Sequence, residues 1–127
     1  LQGDPEATGA AKITRSYHLP ARFVLHTVGP IHRGDDRLSE ESEWLAKSYT
    51  SCLELASQLP TIRSLAFCCI STGVFGFPAS AASQIAVDSV NKWINQRPDR
   101  FDTIVFNVFS DRDQWLYTER LSRQHHE

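Results

Sequence analysis

The sequence contains no methionine and begins at Leu1, so it holds no initiation site, and an upstream segment is expected to have been removed. It also lacks any apolar stretch approaching the roughly 18 residues of a spanning helix. Leu1 to Ala10 has neither the basic nor the apolar region of a signal peptide, so no membrane partner is expected. Charge of one sign is missing too: 13 Lys and Arg stand against 15 Asp and Glu, a formal net charge of -2. That balance argues against nucleic-acid binding by bulk charge, and any anion must be held by local geometry. Cysteine is scarce, with Cys52, Cys68 and Cys69 making an odd count and no CxxC pair. Such a pattern suits reduced thiols and a cytoplasmic location better than a disulfide framework. Cys68 and Cys69 are adjacent on an expected strand, point to opposite faces and are expected in the core.

What is present is one domain's worth of globular chain, 127 residues with 41% hydrophobic and 22% charged composition. Ala10 to Thr14 fits a short strand, which His18-Leu19-Pro20 breaks, and Arg22 to Val28 fits a buried strand closed by Gly29-Pro30. A polar loop follows. Ser39 is placed to cap a helix reaching Leu59, with Leu45, Tyr49, Cys52, Leu53, Ala56 and Leu59 recurring on one face before Pro60. Arg63 to Ile70 is a second long apolar strand. A helix from Pro78 to Gln96 would bury Ala82, Ile85, Ala86, Ser89, Val90 and Trp93. Asp102 to Phe109 is a third long strand, and Ser110 with Asp113 resembles a capping box that opens a last helix ending near Ser122. Residues 123–127, RQHHE, are expected to form a disordered tail. Strands alternating with helices of crossover length imply an α/β fold with a mostly parallel sheet covered on both faces.

In such sheets ligands gather at the carboxyl ends of the strands, which brings together Gly29-Pro30-Ile31, Ser71 to Phe77 and Phe109-Ser110-Asp111. The middle segment lies in ISTGVFGFP, residues 70–78. Gly73 and Gly76 admit backbone conformations closed to other residues, and the amides between them can face an anion at the start of the next helix. No lysine follows the second glycine, which rules out a Walker loop, and the spacing lacks the GxGxxG of a dinucleotide-binding turn. On pattern alone, an ordinary strand-to-helix connection and a phosphate site fit this turn equally well. Pro78 suits the first helical position. Phe77 fits a hydrophobic staple. Asp111 is expected to complement a helix dipole, in preference to contacting a ligand.

ISTGVFGFP with the following AAxxIAVxxV, the upstream TGAAKITRSYHLPARFVLHTVGPI and the downstream IVFNVFSDRDQWLY together resemble the macrodomain family of ADP-ribose-binding modules. The resemblance runs from Thr8 to Tyr117. The double cysteine before ISTG and the AKIT stretch are most similar to the zinc-dependent branch of protein-ADP-ribose hydrolases. The resemblance implies a three-layer α/β/α macrodomain-like fold with a mixed, mostly parallel sheet, the whole of residues 1–127 being a single partial domain truncated at its N-terminus. It implies that Ser71, Thr72, Gly73, Val74, Phe75 and Gly76 wrap the diphosphate of ADP-ribose, that Phe75 reaches the distal ribose, and that Phe109 stacks on adenine. An ordinary core phenylalanine is the other reading of Phe109. The implied partner is ADP-ribose or an ADP-ribosylated protein, and the implied activity is hydrolytic removal of mono-ADP-ribose, with a non-catalytic reader as the alternative.

The chain also departs from that family. The resemblance places the adenine aspartate, the asparagine loop and the zinc ligands in a strand-rich half absent here, so no cofactor is expected in this chain, no catalytic residue is assigned, and the fragment alone is expected to be inactive and marginally stable. His18, His26, His32, His125 and His126 show no metal-ligand spacing. His26 is expected as a core histidine, and His32, in a loop near the site, as a solvated residue in preference to one that touches ligand. In complete macrodomains a strand from the absent half lies between those matching Arg22–Val28 and Arg63–Ile70. Unpaired dry edges cost about 1–3 kcal/mol per group, so the two strands are expected to close and pair directly. The expected order is Ala10–Thr14, Arg22–Val28, Arg63–Ile70, Asp102–Phe109, with the first strand antiparallel at the edge.

Overall fold

The computed structural model describes residue 9 and residues 11–15, 23–27, 29–70, 76–108 and 110–124. Among them the strands form two separate pairs. β1 (Ala11–Arg15) runs antiparallel to β2 (Phe23–Thr27), with Ala11 opposite Thr27 and Ile13 opposite Leu25. β3 (Ser64–Phe67) runs parallel to β4 (Thr103–Phe106), with Leu65 opposite Ile104 and Phe67 opposite Phe106. A parallel pair needs a crossover, and the crossover here is α2 (Ala79–Gln96). α1 (Leu38–Ser57) joins β2 to β3, and α3 (Asp111–Gln124) follows β4. The class is α/β, as the spacing of apolar runs predicts.

The helices form because their apolar residues recur at three and four. Leu45, Tyr49, Cys52, Leu53 and Ala56 make one buried stripe on α1. On α2 the stripe is Ala82, Ala86, Val90 and Trp93 as expected, but Ser83 and Val87 are buried too, while Ile85 and Ser89 are only partly so. The stripe is wider because α2 packs between α1 and α3. These faces meet Leu65 and Phe67 of β3 in one core. Rings order it: Tyr49 packs on Phe67 at 5.1 Å, and Phe106 lies between Phe67 at 6.0 Å and Tyr117 at 5.1 Å. The opposite face of the β3–β4 pair carries exposed Ser64, Ala66, Thr103 and Val105. That exposure corrects one expectation, since Cys68, predicted in the core, continues this outward face and is exposed. His26, expected in the core, is exposed on β2 for the same reason of strand alternation.

The ends of elements differ from the sequence reading in physical detail. α1 does not start at Ser39. A 3-10 turn, Asp35–Arg37, leads into it, and Arg37 occupies the cap without a side-chain bond. Glu41 in the first turn instead folds back onto the preceding loop, which winds that loop into the helix start. The far end of α1 is closed by Arg100, whose guanidinium donates to the carbonyls of Ala56 at 3.1 Å, Ser57 at 3.1 Å, Leu59 at 2.8 Å and Ile62 at 2.7 Å. Ala56 and Ser57 lie in the last turn of α1, where a helix leaves carbonyls short of partners, and Leu59 and Ile62 follow just beyond it. Pro78 is the cap of α2, not its first residue, and its carbonyl accepts the Ala82 N–H at 2.9 Å. Phe77 and Ala82 then occupy the two positions of a hydrophobic staple, and both lie in the core. Ser110 does cap α3, its Oγ accepting the Asp113 N–H at 3.0 Å. α3 continues to Gln124, so Arg123 and Gln124 are helical where a disordered tail was expected, and residues 125–127 lie outside the described residues.

The expected closure of β2 onto β3 does not occur, because the two strands share no ladder. A cavity of about 530 Å³ separates them, lined by Phe23, Leu25 and Thr27 on one side and by Leu65, Phe67 and Ile70 on the other. The reason lies in α1. It packs on β1 and β2 while its fully buried Tyr49 packs on Phe67 of β3, so the helix sets the spacing of both pairs. Closing the gap would crowd Cys52, which lines it and is packed in the core.

Candidate functional site

β3 and β4 end side by side. Asn107 N–H donates to the Phe67 carbonyl at 2.7 Å, and the Cys69 thiol reaches the Asn107 carbonyl at 3.6 Å. The glycine loop leaves from this point and returns at Gly76. Ser71, Thr72, Gly73, Val74, Phe75 and Phe109 lie outside the described residues, and of the predicted ligand-binding set Gly76 is described. Its φ is 74°, the left-handed region that favours glycine, and a Cβ there would meet nothing within 4 Å. The glycine is therefore required by backbone conformation and not by crowding.

Both ends of the loop are anchored. At its start, the Ile70 N–H donates to the Tyr49 hydroxyl at 3.5 Å, and Tyr49 shares a hydrogen bond with Tyr117. Burial pushes Tyr49 up to about 12, and burial followed by the neighbouring Tyr49 pushes Tyr117 up as well. Burial likewise raises the Cys52 thiol to about 11. These groups are neutral at physiological pH, which makes them scaffold and not nucleophiles. At the loop's end Phe77 is buried and α2 begins. Among the described residues the first turn of α2 has no side-chain cap and no acidic residue, a setting in which a helix start favours an anion. Arg120, buried on α3, adds a cation: its Nη2 donates to the Ser80 Oγ at 3.1 Å and to the Ser80 carbonyl at 3.3 Å. Glu119 balances part of that charge, 3.6 Å from Arg120 Nη1. Local geometry thus concentrates positive potential at one helix start in a chain whose net charge is -2.

Three further features escaped the sequence reading. Tyr49 was legible as a helix-face residue, and the signal missed was a hydroxyl inside a leucine stripe, which needs a partner when buried. Arg120 sits in a polar-looking helix, and nothing in its spacing marks it as a contact to α2. His32, expected to be solvated, is instead held against Glu41 at 2.7 Å. Asp111 stands exposed in the first turn of α3, the place of a dipole-complementing carboxylate. Among the described residues no three His, Cys, Asp or Glu side chains gather as a metal-ligand set.

An α/β domain with an uncapped helix start behind a left-handed glycine, at the carboxyl end of a parallel pair, has the arrangement on which anion-binding modules are built. Comparison with known proteins makes the assignment specific. The Macro domain family model matches residues 1–86, and the chain belongs to that family. It is 50% identical over 121 residues to a protein-ADP-ribose hydrolase of Treponema medium, covering 95% of this chain and 45% of that protein. The Oceanobacillus iheyensis macrodomain with ADP matches with a TM-score of 0.86 and 34% identity, over 98% of this chain and 63% of that one. The Trypanosoma brucei macrodomain in complex with ADP-ribose matches with a TM-score of 0.81 and 36% identity, over 91% of this chain and 46% of that one. The chain spans less than half the length of the curated relatives it matches. No helix among the described residues is long and apolar enough to cross a membrane.

Proposed function

We propose that the protein carrying this chain binds ADP-ribose and removes it hydrolytically from modified proteins, with Ser71 to Gly76 enclosing the diphosphate. The observation that carries the reading is the start of α2, an uncapped, acid-free first turn entered from Gly76 in the left-handed region. The relatives named protein-ADP-ribose hydrolase support the reaction class. In that reaction water adds to the anomeric carbon of the distal ribose, the bond to the modified side chain breaks, and the water's proton ends on the released side chain. The chain's share is orientation: a diphosphate fixed by backbone amides holds the distal ribose in one place, which removes entropy from the step. Phe109 supplies the adenine platform, and Phe75 the ribose contact. Cys52, Cys68 and Cys69, none of them in a disulfide, fit a reducing, cytoplasmic setting.

The test is Gly73→Glu in the protein that carries residues 1–127, read by calorimetric titration with ADP-ribose. A carboxylate placed where the diphosphate must lie should abolish binding. Unchanged affinity would remove the loop from the site, and binding without turnover of an ADP-ribosylated protein would assign the module to readers instead of hydrolases.

A further inference from the structure

His32 lies in the loop between β2 and α1, and the proposed reaction gives it no part. Its surroundings are nevertheless built. Nδ1 is 2.7 Å from Glu41 Oε1, and Glu41 Oε2 accepts the Arg33 N–H at 2.8 Å. Glu41 is only 2% exposed, and an enclosed carboxylate is tolerated when its charge is met. Arg37, in the 3-10 turn before α1, pairs with Glu40 at 3.0 Å and adds a favourable charge near Glu41, and Arg33 offers Glu41 its backbone N–H. Among the described residues the ionisable side chain in direct contact with Glu41 is His32. Its other nitrogen, Nε2, is 3.4 Å from Asp35 Oδ1, so both ring nitrogens face carboxylates, an arrangement in which both act as donors. The hydrogen bond to Glu41 raises the His32 pKa above its ordinary value. Burial alone would push Glu41 up, but the bonds from His32 and the Arg33 amide outweigh it and leave that carboxyl below its usual range.

The same ring meets Phe77 edge-on, with centroids 6.0 Å apart and planes at 63°. Phe77 is buried and directly follows Gly76. A continuous line of contact thus runs from Glu41 through the imidazole and Phe77 to the described end of the glycine loop. Resting on the function proposed above, we propose that His32 is a positioning residue for ADP-ribose binding: as an imidazolium clamped between Glu41 and Asp35, it seats its ring on Phe77 and fixes the backbone at Gly76. When pH rises through its titration, Nε2 loses its proton and turns a lone pair toward Asp35, while Glu41 loses its cation. A group with a raised folded pKa contributes fully below its ordinary pKa of about 6.5 and loses that contribution as pH rises through the shifted value. Affinity for ADP-ribose should follow the same course.

The experiment uses the protein carrying residues 1–127, unsubstituted and as His32→Asn and His32→Phe. Asparagine keeps a donor toward Glu41 and loses the ring, whereas phenylalanine keeps the ring and loses the donors. Calorimetric affinity for ADP-ribose is measured between about pH 5.5 and 8.5, the range in which histidine titrates, alongside the NMR titration of the His32 ring. The unsubstituted protein should bind more weakly at the high end, with its midpoint at the His32 titration. Both variants should lose about two- to tenfold in affinity at low pH, the effect of one aromatic contact, and should lose the pH dependence. Amide exchange of Gly76 and Phe77 should quicken in both variants while that of Val87 and Val90 in the middle of α2 stays unchanged. Affinity independent of pH across the His32 titration would overturn the proposal. If the unsubstituted protein binds no ADP-ribose at any pH, the proposed function fails. The amide exchange then decides the positioning role, and an unchanged rate at Gly76 and Phe77 overturns it.

Discussion

Replacing Gly76 by alanine isolates what the loop demands of its backbone. The residue has φ of 74°, and an added Cβ meets nothing within 4 Å, so steric overlap contributes nothing and the whole effect is conformational. An L-residue with a Cβ in the left-handed region costs about 1–2 kcal/mol relative to glycine. Against this, alanine narrows the unfolded ensemble and returns about 0.4–1 kcal/mol to stability. The net loss in global stability should be about 1 kcal/mol, seen as a lower urea midpoint with an unchanged slope. Binding has no unfolded reference, so the opposing contribution is absent there. If free Gly76→Ala relaxes out of the left-handed region, ADP-ribose must restore it, and affinity falls by up to the full 1–2 kcal/mol, about five- to thirtyfold. Stability and affinity therefore trade against each other: the more the free loop relaxes, the smaller the first loss and the larger the second. Gly76→Asn should be milder in both, since asparagine visits this region more readily. Two results would refute the reasoning: Gly76→Ala indistinguishable from the unsubstituted protein in both assays, or alanine and asparagine equally harmful, which would point to bulk and not to φ.

Phe109→Ala should weaken ADP-ribose binding by about 1–3 kcal/mol in a calorimetric titration, the loss of one stacking platform; unchanged affinity returns Phe109 to the core. Arg100→Ala strips four carbonyls at the end of α1 of their shared donor. The urea midpoint should drop by the equivalent of about 2–3 kcal/mol, and Arg100→Lys should recover less than half, because an ammonium lacks the fork that spans several acceptors. Exposed Cys68 should be modified by a thiol reagent in the native protein, whereas Cys52, buried and raised to about 11, should react only on unfolding; equal rates at both positions would contradict the exposed outer face of β3.

Much of this fold was legible because its signals are local. The stripe of Leu45, Tyr49, Cys52, Leu53 and Ala56 needs only helical periodicity to be read, and Ser110 needs only Asp113 three residues on. The strand cores were found and their ends were not, since Cys68, Cys69 and Val108 continue apolar runs after the ladders have stopped at Phe67 and Phe106. Apolar composition reports burial potential, whereas a ladder needs a partner at the right distance. The site divides in the same way. The glycine requirement at Gly76 was legible, because a GxxG turn before a proline marks unusual backbone. The His32–Glu41 contact was not, for it joins a loop to a helix nine residues on, and neither propensity nor periodicity encodes that meeting.

The gap between β2 and β3 stays open although closure was expected, and the reason lies partly in solvent. Closure was expected because edge groups left dry cost about 1–3 kcal/mol each. Dryness is the condition, and it is not met. The cavity of about 530 Å³ is far larger than the roughly 10–15 Å³ that a single water needs, so edge amides and carbonyls facing it can exchange protein partners for solvent at little cost. On the other side of the balance, Tyr49 of α1 is fully buried against Phe67 and holds the Ile70 amide, while the same helix packs on β2, so α1 sets how far apart the strand pairs stand. The open gap has a consequence for the site. Ile70 and Asn107 line the cavity, and Ile70 is also the residue from which the glycine loop departs. Whatever fills the space between the strand pairs therefore touches the residue at which the glycine loop begins.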